Sequence, residues 1–452
     1  MNLTLGQIAK ATGGKLKGFD SVVTSVSTDS RDIPKGCLFI ALEGEKFDGH
    51  KFCGIAAEKG AAAVMCHKKI DCKIPVISVK DTGKALLQLS GYYKSTFPNL
   101  LTVGLTGSVG KTTTKEMTHA VLSQKYNTLK TEGNLNNEIG MPKTLFRLDR
   151  NIEAAVIEMG MSNFGEISRM TNECKPDIGV ITNIGVSHIE FLGSRDGILE
   201  AKLEILEGMK KGSPLILNGD NDKLITVKNS DYKIIFFGIE NKNAEVLAKD
   251  ISEANGCTEF TVCFNGNEQK ITIPTVGIHN VYDALAAFTV GLEADVLPQL
   301  IADGLKNYTP SGMRQRIREV NGTTVIEDCY NASPDSQRAA LNVLSKHENG
   351  KRVAVLGDML ELGAYSREAH TDVGKFTENK NIDILYTFGT EAKYIADGAK
   401  GFVKEIKSFD DKATLTEELK AVLCDGDTVL FKASRGMKLE EVIMSLYKEW
   451  EK

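Results

Sequence analysis

The sequence predicts an α/β protein of three domains: a small mixed N-terminal domain, a central parallel-sheet domain with a phosphate loop, and a C-terminal domain of Rossmann-like type. Three observations carry this. The chain has 452 residues, too many for one hydrophobic core, so two to four domains are expected. From Leu101 to about Thr309 short apolar runs alternate with helical patterns, the rhythm of a mainly parallel sheet covered on both faces. A second series of the same kind starts near Ser311-Gly312-Met313-Arg314 and lacks G-x-G-x-x-G. The boundaries are read at 1–98, 99–312 and 313–452.

Composition narrows the function. Hydrophobic residues at 42% and charged residues at 25% are ordinary for a soluble globular chain. A formal net charge of −5 argues against a general nucleic-acid binder. No apolar run reaches membrane-spanning length, and MNLTLGQIAKATGGK lacks the charged start and apolar block of a signal peptide. Nine cysteines without C-x-x-C spacing fit reduced, packed thiols in a cytoplasm.

In chain order, Leu5–Ala11 reads as a helix and Val22–Ser27, Cys37–Ala41, Ala62–Cys66 and Val76–Val79 as strands. Thr82–Phe97 is a helix that Pro98 stops. The polar clusters Ser27-Thr28-Asp29-Ser30-Arg31 and Gly44-Glu45-Lys46-Phe47-Asp48-Gly49-His50 either bind a phosphorylated or hydroxyl-rich ligand or are ordinary turns. Central strands are expected at Leu101–Leu105, Ala154–Glu158, Ile178–Thr182, Pro214–Asn218 and Lys233–Phe237. Helices are expected at Asn137–Leu148, Gly165–Met170 and Gly197–Met209. Residues 246–274 switch to alternating runs around Asn265-Gly266, a hairpin signal. An Ala-rich helix over Val281–Glu293 and a shorter one over Leu297–Leu305 follow. In the last part, strands Thr323–Glu327, Arg352–Leu356, Ile384–Phe388 and Thr428–Phe431 alternate with helices Pro334–Ser345, Ser366–Thr377, Thr390–Gly398, Ala413–Val422 and Leu439–Tyr447.

The chemistry starts at Leu101–Glu116. A short strand runs into Thr106-Gly107-Ser108-Val109-Gly110-Lys111-Thr112-Thr113-Thr114, and a helix follows. That order suits a phosphate loop: Gly107 and Gly110 let the backbone curl so that N–H groups face an anion. Lys111 reaches terminal phosphates, and the Thr112 hydroxyl meets Mg²⁺. Leu105 stands where the longer loop pattern has its first glycine. Glu158, ending an apolar strand, is the expected second Mg²⁺ anchor. Taken alone, His188 is as readily structural as ligating, Lys202 reads as a solvated helix lysine, and Asn280 either caps a helix or faces a base.

Gly107–Thr114 resembles the ATP loop of the Mur ligase and folylpolyglutamate synthetase superfamily, which also lacks the first loop glycine, and the resemblance spans essentially the whole chain. Thr28–Arg31, Phe39–Gly44 and Asp48-Gly49-His50 resemble that family's uridine-diphosphate domain. Asn134-Leu135-Asn136-Asn137-Glu138-Ile139-Gly140, Asp328–Pro334 and Leu356–Gly363 are most similar to the member that adds a D-Ala-D-Ala dipeptide. The resemblance implies an ATP-dependent ligase acting on UDP-N-acetylmuramoyl-tripeptide, with lysine or diaminopimelate as third residue, in cytoplasmic peptidoglycan precursor synthesis. It implies two Mg²⁺: one at Thr112 and Glu158, the other near His188 and a carbamylated Lys202. It also implies nucleotide contacts by Ser108, Val109, Thr113, Asn280, Arg314 and Asp328. Substrate contacts are implied for Ser30, Arg31, Gly44, Asp48, Gly49, His50, Asn134, Asn136, Asn137 and Asn331. The expected form is a monomer with no membrane insertion. Lys432–Lys438 departs from the resemblance at Ala433 and Gly436, where Gly and Ser are expected. A sister ligase for another amino acid, and a phosphate-loop ATPase without ligation, are the alternatives.

Overall fold

The apolar runs in the middle of the chain join into one nine-stranded sheet in a computed structural model that describes residues 1–310 and 312–450. Ser311, at the expected start of the third part, and Glu451–Lys452 lie outside the described residues. The strand order is Thr128–Lys130, Ala154–Glu158, Leu101–Thr106, Ile178–Ile181, Pro214–Asn218, Lys233–Gly238, Val246–Ala254, Cys257–Phe264, Asn267–Ile273. The last two pairings are antiparallel and the others parallel.

Alternating residues feed two cores. Val103, Leu105, Val156 and Val180 pack with Met117, Val121, Leu285 and Phe288 on one face. Ala155, Ile157 and Ile181 pack with Leu89, Met141 and Leu145 on the other. Burial on both faces is why these strands read as continuous apolar runs. The hairpin turn is as expected: Asn265 and Gly266 both take left-handed angles, φ +48° and +75°.

The N-terminal segment builds a five-stranded sheet in the order Lys15–Lys17, Val76–Ser78, Ala63–Cys66, Leu38–Ile40, Val26–Ser27. The single strand expected over Val22–Ser27 is broken. Val22–Val23 pairs with Leu3–Thr4, whereas Val26–Ser27 joins the larger sheet. Leu5–Ala11 is helical as read, with Thr4 and Gln7 forming a capping box.

The third sheet has the order Arg316–Val320, Thr323–Glu327, Thr428–Lys432, Arg352–Gly357, Ile384–Phe388, Glu405–Phe409, antiparallel only at its first pairing. Its two edge strands escaped the sequence reading. Arg316–Val320 is mostly exposed and carries charges, so it has no apolar run to find. Five of the nine cysteines are buried, and all nine are free thiols. No described helix is long and apolar enough to cross a membrane.

In the central sheet Leu105 sits opposite Glu158 and Val180, so three strands end level with one another. Their following loops, the loop after Thr323–Glu327 and the strand end at Lys432 of the third sheet line one cavity of about 1010 Å³.

Candidate active site

The loop after Leu101–Thr106 is forced into place by its surroundings. Gly107 and Gly110 have φ +155° and +82°. A Cβ at Gly107 would stand 1.9 Å from Thr182 Oγ1, and one at Gly110 2.4 Å from Asp283 Oδ1. Only glycine satisfies both the angle and the space. Residues beyond the Ile178–Ile181 strand pin the loop. The Ser108 and Val109 amides donate to Asn183 O (3.1 Å) and Asn183 Oδ1 (2.8 Å). The Thr182 hydroxyl donates to Val109 O at 2.6 Å. Two loop amides are therefore committed to Asn183 rather than turned to an anion. The amides facing outward are those of the first turn of the Lys111–Leu122 helix. Lys111 Nζ donates to Gly107 O (2.7 Å) and Ser108 O (3.3 Å). Burial lowers its pKa, the Glu158 carboxylate opposing and Arg314 assisting.

Glu158 is 1% exposed. Its Oε2 accepts from Thr112 Oγ1 (3.1 Å), and its Oε1 accepts from Asn136 Nδ2 (2.8 Å). Lys115, equally buried, brings its ammonium to 3.6 Å from Glu158 Oε2 and 3.2 Å from Glu116 Oε1. Lys130 pairs with Glu116 from the other side. A hydroxyl and a carboxylate facing a cavity form a hard oxygen donor set of the kind Mg²⁺ takes.

Lys202 is not the surface residue its helix pattern suggests. It is 2% exposed, and its amine has no hydrogen-bond or ion-pair partner among the described residues. Burial, and secondly Lys111, push its pKa well below the usual lysine value. A lowered pKa makes the proton easier to lose, and the unprotonated amine is the form that reacts with CO₂. His188 lines the cavity in a left-handed conformation, φ +64°. Its Nδ1 lies 2.6 Å from Glu361 Oε2, a residue of the third-sheet unit.

The Ile278–Glu293 helix starts earlier than expected, with Gly277 as its N-cap, so Asn280 sits inside the first turn rather than capping it. Its Nδ2 donates to Val276 O (2.7 Å) and Gln315 Oε1 (2.9 Å). On the same helix Asp283 accepts from Thr114 Oγ1 at 2.8 Å. Burial pushes that carboxyl up to about 7. Arg314 stacks 4.2 Å above the Tyr330 ring. Asp328 pairs with the buried Lys432 at 2.6 Å, and Lys432 also reaches Asn331 O at 3.3 Å.

The N-terminal clusters are built differently and do not line this cavity. Asp29 grips the exposed Arg31 through two contacts of 2.7–2.9 Å, and Lys59 donates to Ser30 O at 2.9 Å. Gly44 and Asp48 lie on a two-stranded ribbon. Asp48 caps the short turn at Gly49–Phe52 and accepts from His50 Nδ1 at 2.7 Å. Lys68 bridges Glu43 (2.6 Å) and Asp48 (2.9 Å), and His67 Nε2 lies 2.9 Å from Glu43. Asn137 lines the cavity, yet its side chain accepts from the Gly140 amide (2.8 Å) at the next helix start, and Asn134 is exposed away from the cavity.

Sequence reasoning missed Asn183, Asp283, Lys115, Gln315, Lys432 and Glu361. Most of their partners lie far along the chain, as with Thr114 and Asp283, 169 residues apart, although Lys115 also pairs with the adjacent Glu116. No local pattern marks them.

The sequence matches the Mur ligase family in three consecutive blocks. These are the "Mur ligase family, catalytic domain" over residues 22–93, the "Mur ligase middle domain" over 105–291 and the "Mur ligase, glutamate ligase domain" over 314–435. A Bacillus subtilis (strain 168) protein, UDP-N-acetylmuramoyl-tripeptide--D-alanyl-D-alanine ligase, is 41% identical over 98% of this chain and 97% of its own. The crystal structure of MurF from Acinetobacter baumannii superposes with TM-score 0.93 at 31% identity, over 99% of both chains. The MurF ligase of Thermotoga maritima, solved in complex with ADP, superposes with TM-score 0.86 at 28% identity, over 95% of this chain and 98% of that one.

Proposed function

The chain belongs to the Mur ligase family, and from that premise we propose that it joins D-Ala-D-Ala to UDP-N-acetylmuramoyl-tripeptide in peptidoglycan precursor synthesis. The reaction is ATP-dependent and releases ADP and phosphate. One observation carries the reading. A single cavity joins the phosphate loop and Glu158 of the central sheet to Arg314, Asp328, Asn331 and Lys432 of the third.

A carboxylate is a poor electrophile and its oxyanion a poor leaving group. Attack of the tripeptide's terminal carboxylate oxygen on the γ-phosphorus of ATP makes an acyl phosphate and removes both obstacles. The free amine of D-Ala-D-Ala then attacks the acyl carbon, and phosphate departs with the former carboxylate oxygen. Lys111 leaves its loop carbonyls for the phosphates and neutralises their charge. Asn280, Arg314 and Asp328 hold adenine, phosphate and ribose. Thr112, Glu158, His188 and Lys202 as its carbamate would hold two Mg²⁺, which would supply positive charge to the phosphoryl oxygens. The buried, partnerless amine of Lys202 supports the carbamate, because carbamylation turns a repelled ammonium into a carboxylate-like anion.

The division of labour follows the three parts. Residues 1–98 bind the UDP-sugar peptide through Ser30, Arg31, Gly44, Asp48, Gly49 and His50, with Asn134, Asn136 and Asn137 along its path. Residues 99–312 bind ATP, and 313–452 close over ATP and the dipeptide, held near Asn331. Closure keeps water from the acyl phosphate. The protein acts as a cytoplasmic monomer.

The test is phosphate release from ATP and Mg²⁺ with each substrate omitted in turn. Release that needs both UDP-N-acetylmuramoyl-tripeptide and D-Ala-D-Ala, with a product heavier by the dipeptide, is the expected result. Release that needs the nucleotide sugar and another amino acid would make the chain a sister ligase. Release indifferent to both would overturn the ligase reading.

A further inference from the structure

The segment Asp358–Gly363 belongs to the third-sheet unit, and that unit holds it rigidly. Asp358 accepts from the Ala392 and Thr390 amides at 2.7 and 3.2 Å. The Met359 amide donates to His370 Nε2, and the Leu360 amide to Ser434 Oγ, both at 2.9 Å. The next residue, Glu361, takes a left-handed conformation with φ +64°, which a non-glycine residue adopts only where its surroundings require it. It thereby reaches across to the central unit.

There it meets His188, also at φ +64°. Glu361 Oε2 and His188 Nδ1 lie 2.6 Å apart, the ring turned off ideal hydrogen-bond alignment. The neighbours bring the same two segments together. A Cβ at Gly363 would stand 3.0 Å from Glu190 Cγ, and Tyr365 Oη lies 3.5 Å from Gly193 O. Two residues with left-handed backbone, from different units, therefore meet behind the stretch of cavity wall that His188 lines.

We propose that Glu361 is a positioning residue that completes the cation site from the third-sheet side. Its carboxylate engages Nδ1 of His188 and leaves Nε2 to face the cavity, an arrangement that orients imidazole ligands in metal sites. The contact exists only while the two units are docked. Cation affinity and docking are thus coupled, and the coupling is reciprocal. The inference rests on the reading of His188 as a cation-site residue.

The test is Mn²⁺ binding followed by electron paramagnetic resonance, with a non-hydrolysable ATP analogue present, in wild type, Glu361→Ala, Glu361→Gln, His188→Ala and the double variant Glu361→Ala/His188→Ala. Wild type should bind two Mn²⁺. Glu361→Ala should weaken one of them about 10- to 100-fold, the range for losing an orienting partner. Glu361→Gln, which keeps an acceptor, should recover part of the loss. Adding Glu361→Ala to His188→Ala should change nothing further. Equal binding by Glu361→Ala and wild type would overturn the proposal, as would an unchanged Glu361→Ala effect in the His188→Ala background. A wild type that binds only one Mn²⁺, or a His188→Ala variant that keeps both, would instead overturn the cation-site reading on which the proposal stands.

Discussion

The central cavity and the N-terminal surface use the same kinds of charged side chains under opposite rules. At Glu43, Asp48 and Lys68 the partners set the balance: hydrogen bonds and ion pairs lower both carboxyl pKa values and raise that of the lysine. In and just behind the cavity wall burial leads, lowering the amines of Lys111 and of Lys202, which does not itself line the cavity, and raising the carboxyl of Asp283. Charge on the surface is satisfied where it stands. Charge in the cavity is under-compensated, the setting in which a ligand of opposite charge gains most. The pair Asp29–Arg31 shows the first rule and Lys202 the second.

The strongest way to break this comparison is Lys111→Ala. Ligation should fall at least about 1,000-fold, about 4 kcal/mol of barrier, with circular dichroism and melting temperature retained. Unchanged turnover would remove Lys111 from the chemistry.

Asp283 sharpens the contrast through pH. Its carboxyl is raised from 3.8 to about 7 in the folded protein, so folding favours the protonated form. The stability it contributes is full below 3.8 and is lost as pH rises towards about 7. Across that window each pH unit costs the wild type up to about 1.4 kcal/mol that Asp283→Asn does not lose. Calorimetric melting at pH 5 and pH 7.5 should show the wild type falling further than the variant. Parallel curves would place Asp283 under the surface rule.

Lys202→Met should abolish ligation yet raise stability by about 1–2 kcal/mol, because an apolar side chain of similar volume replaces an amine buried without a partner. With ¹³C-bicarbonate, wild type should show a carbamate carbon signal that the variant lacks. A destabilised Lys202→Met would mean that the amine has a partner in solution.

The smallest effect belongs to Arg31→Ala. Its melting temperature should match wild type within about 1 °C, as expected for an exposed ion pair. The KM for the UDP-sugar peptide should rise, and a KM equal to wild type would remove Arg31 from the substrate surface.

What the sequence made legible follows from the same physics. The buried strands, Ala154–Glu158 among them, announced themselves because both faces are covered, so the run is apolar up to the carboxylate at its end. The loop at Gly107–Thr112 was legible because strand, glycines and helix start are consecutive. Thr128–Lys130, three residues long, and the exposed edge Arg316–Val320 left no such trace. Lys202 was misread from its residues alone, since helix periodicity does not report what covers a face. Asn183 and Glu361 act on residues that only the assembled strand ends and docked units bring near.

The measurement that tests the central account most directly is oxygen transfer. With both oxygens of the tripeptide's terminal carboxylate labelled as ¹⁸O, an acyl phosphate at the cavity predicts one ¹⁸O atom in inorganic phosphate for each dipeptide joined. Phosphate that forms at the same rate without label would contradict the account, because ATP would then be cleaved without activating the carboxylate.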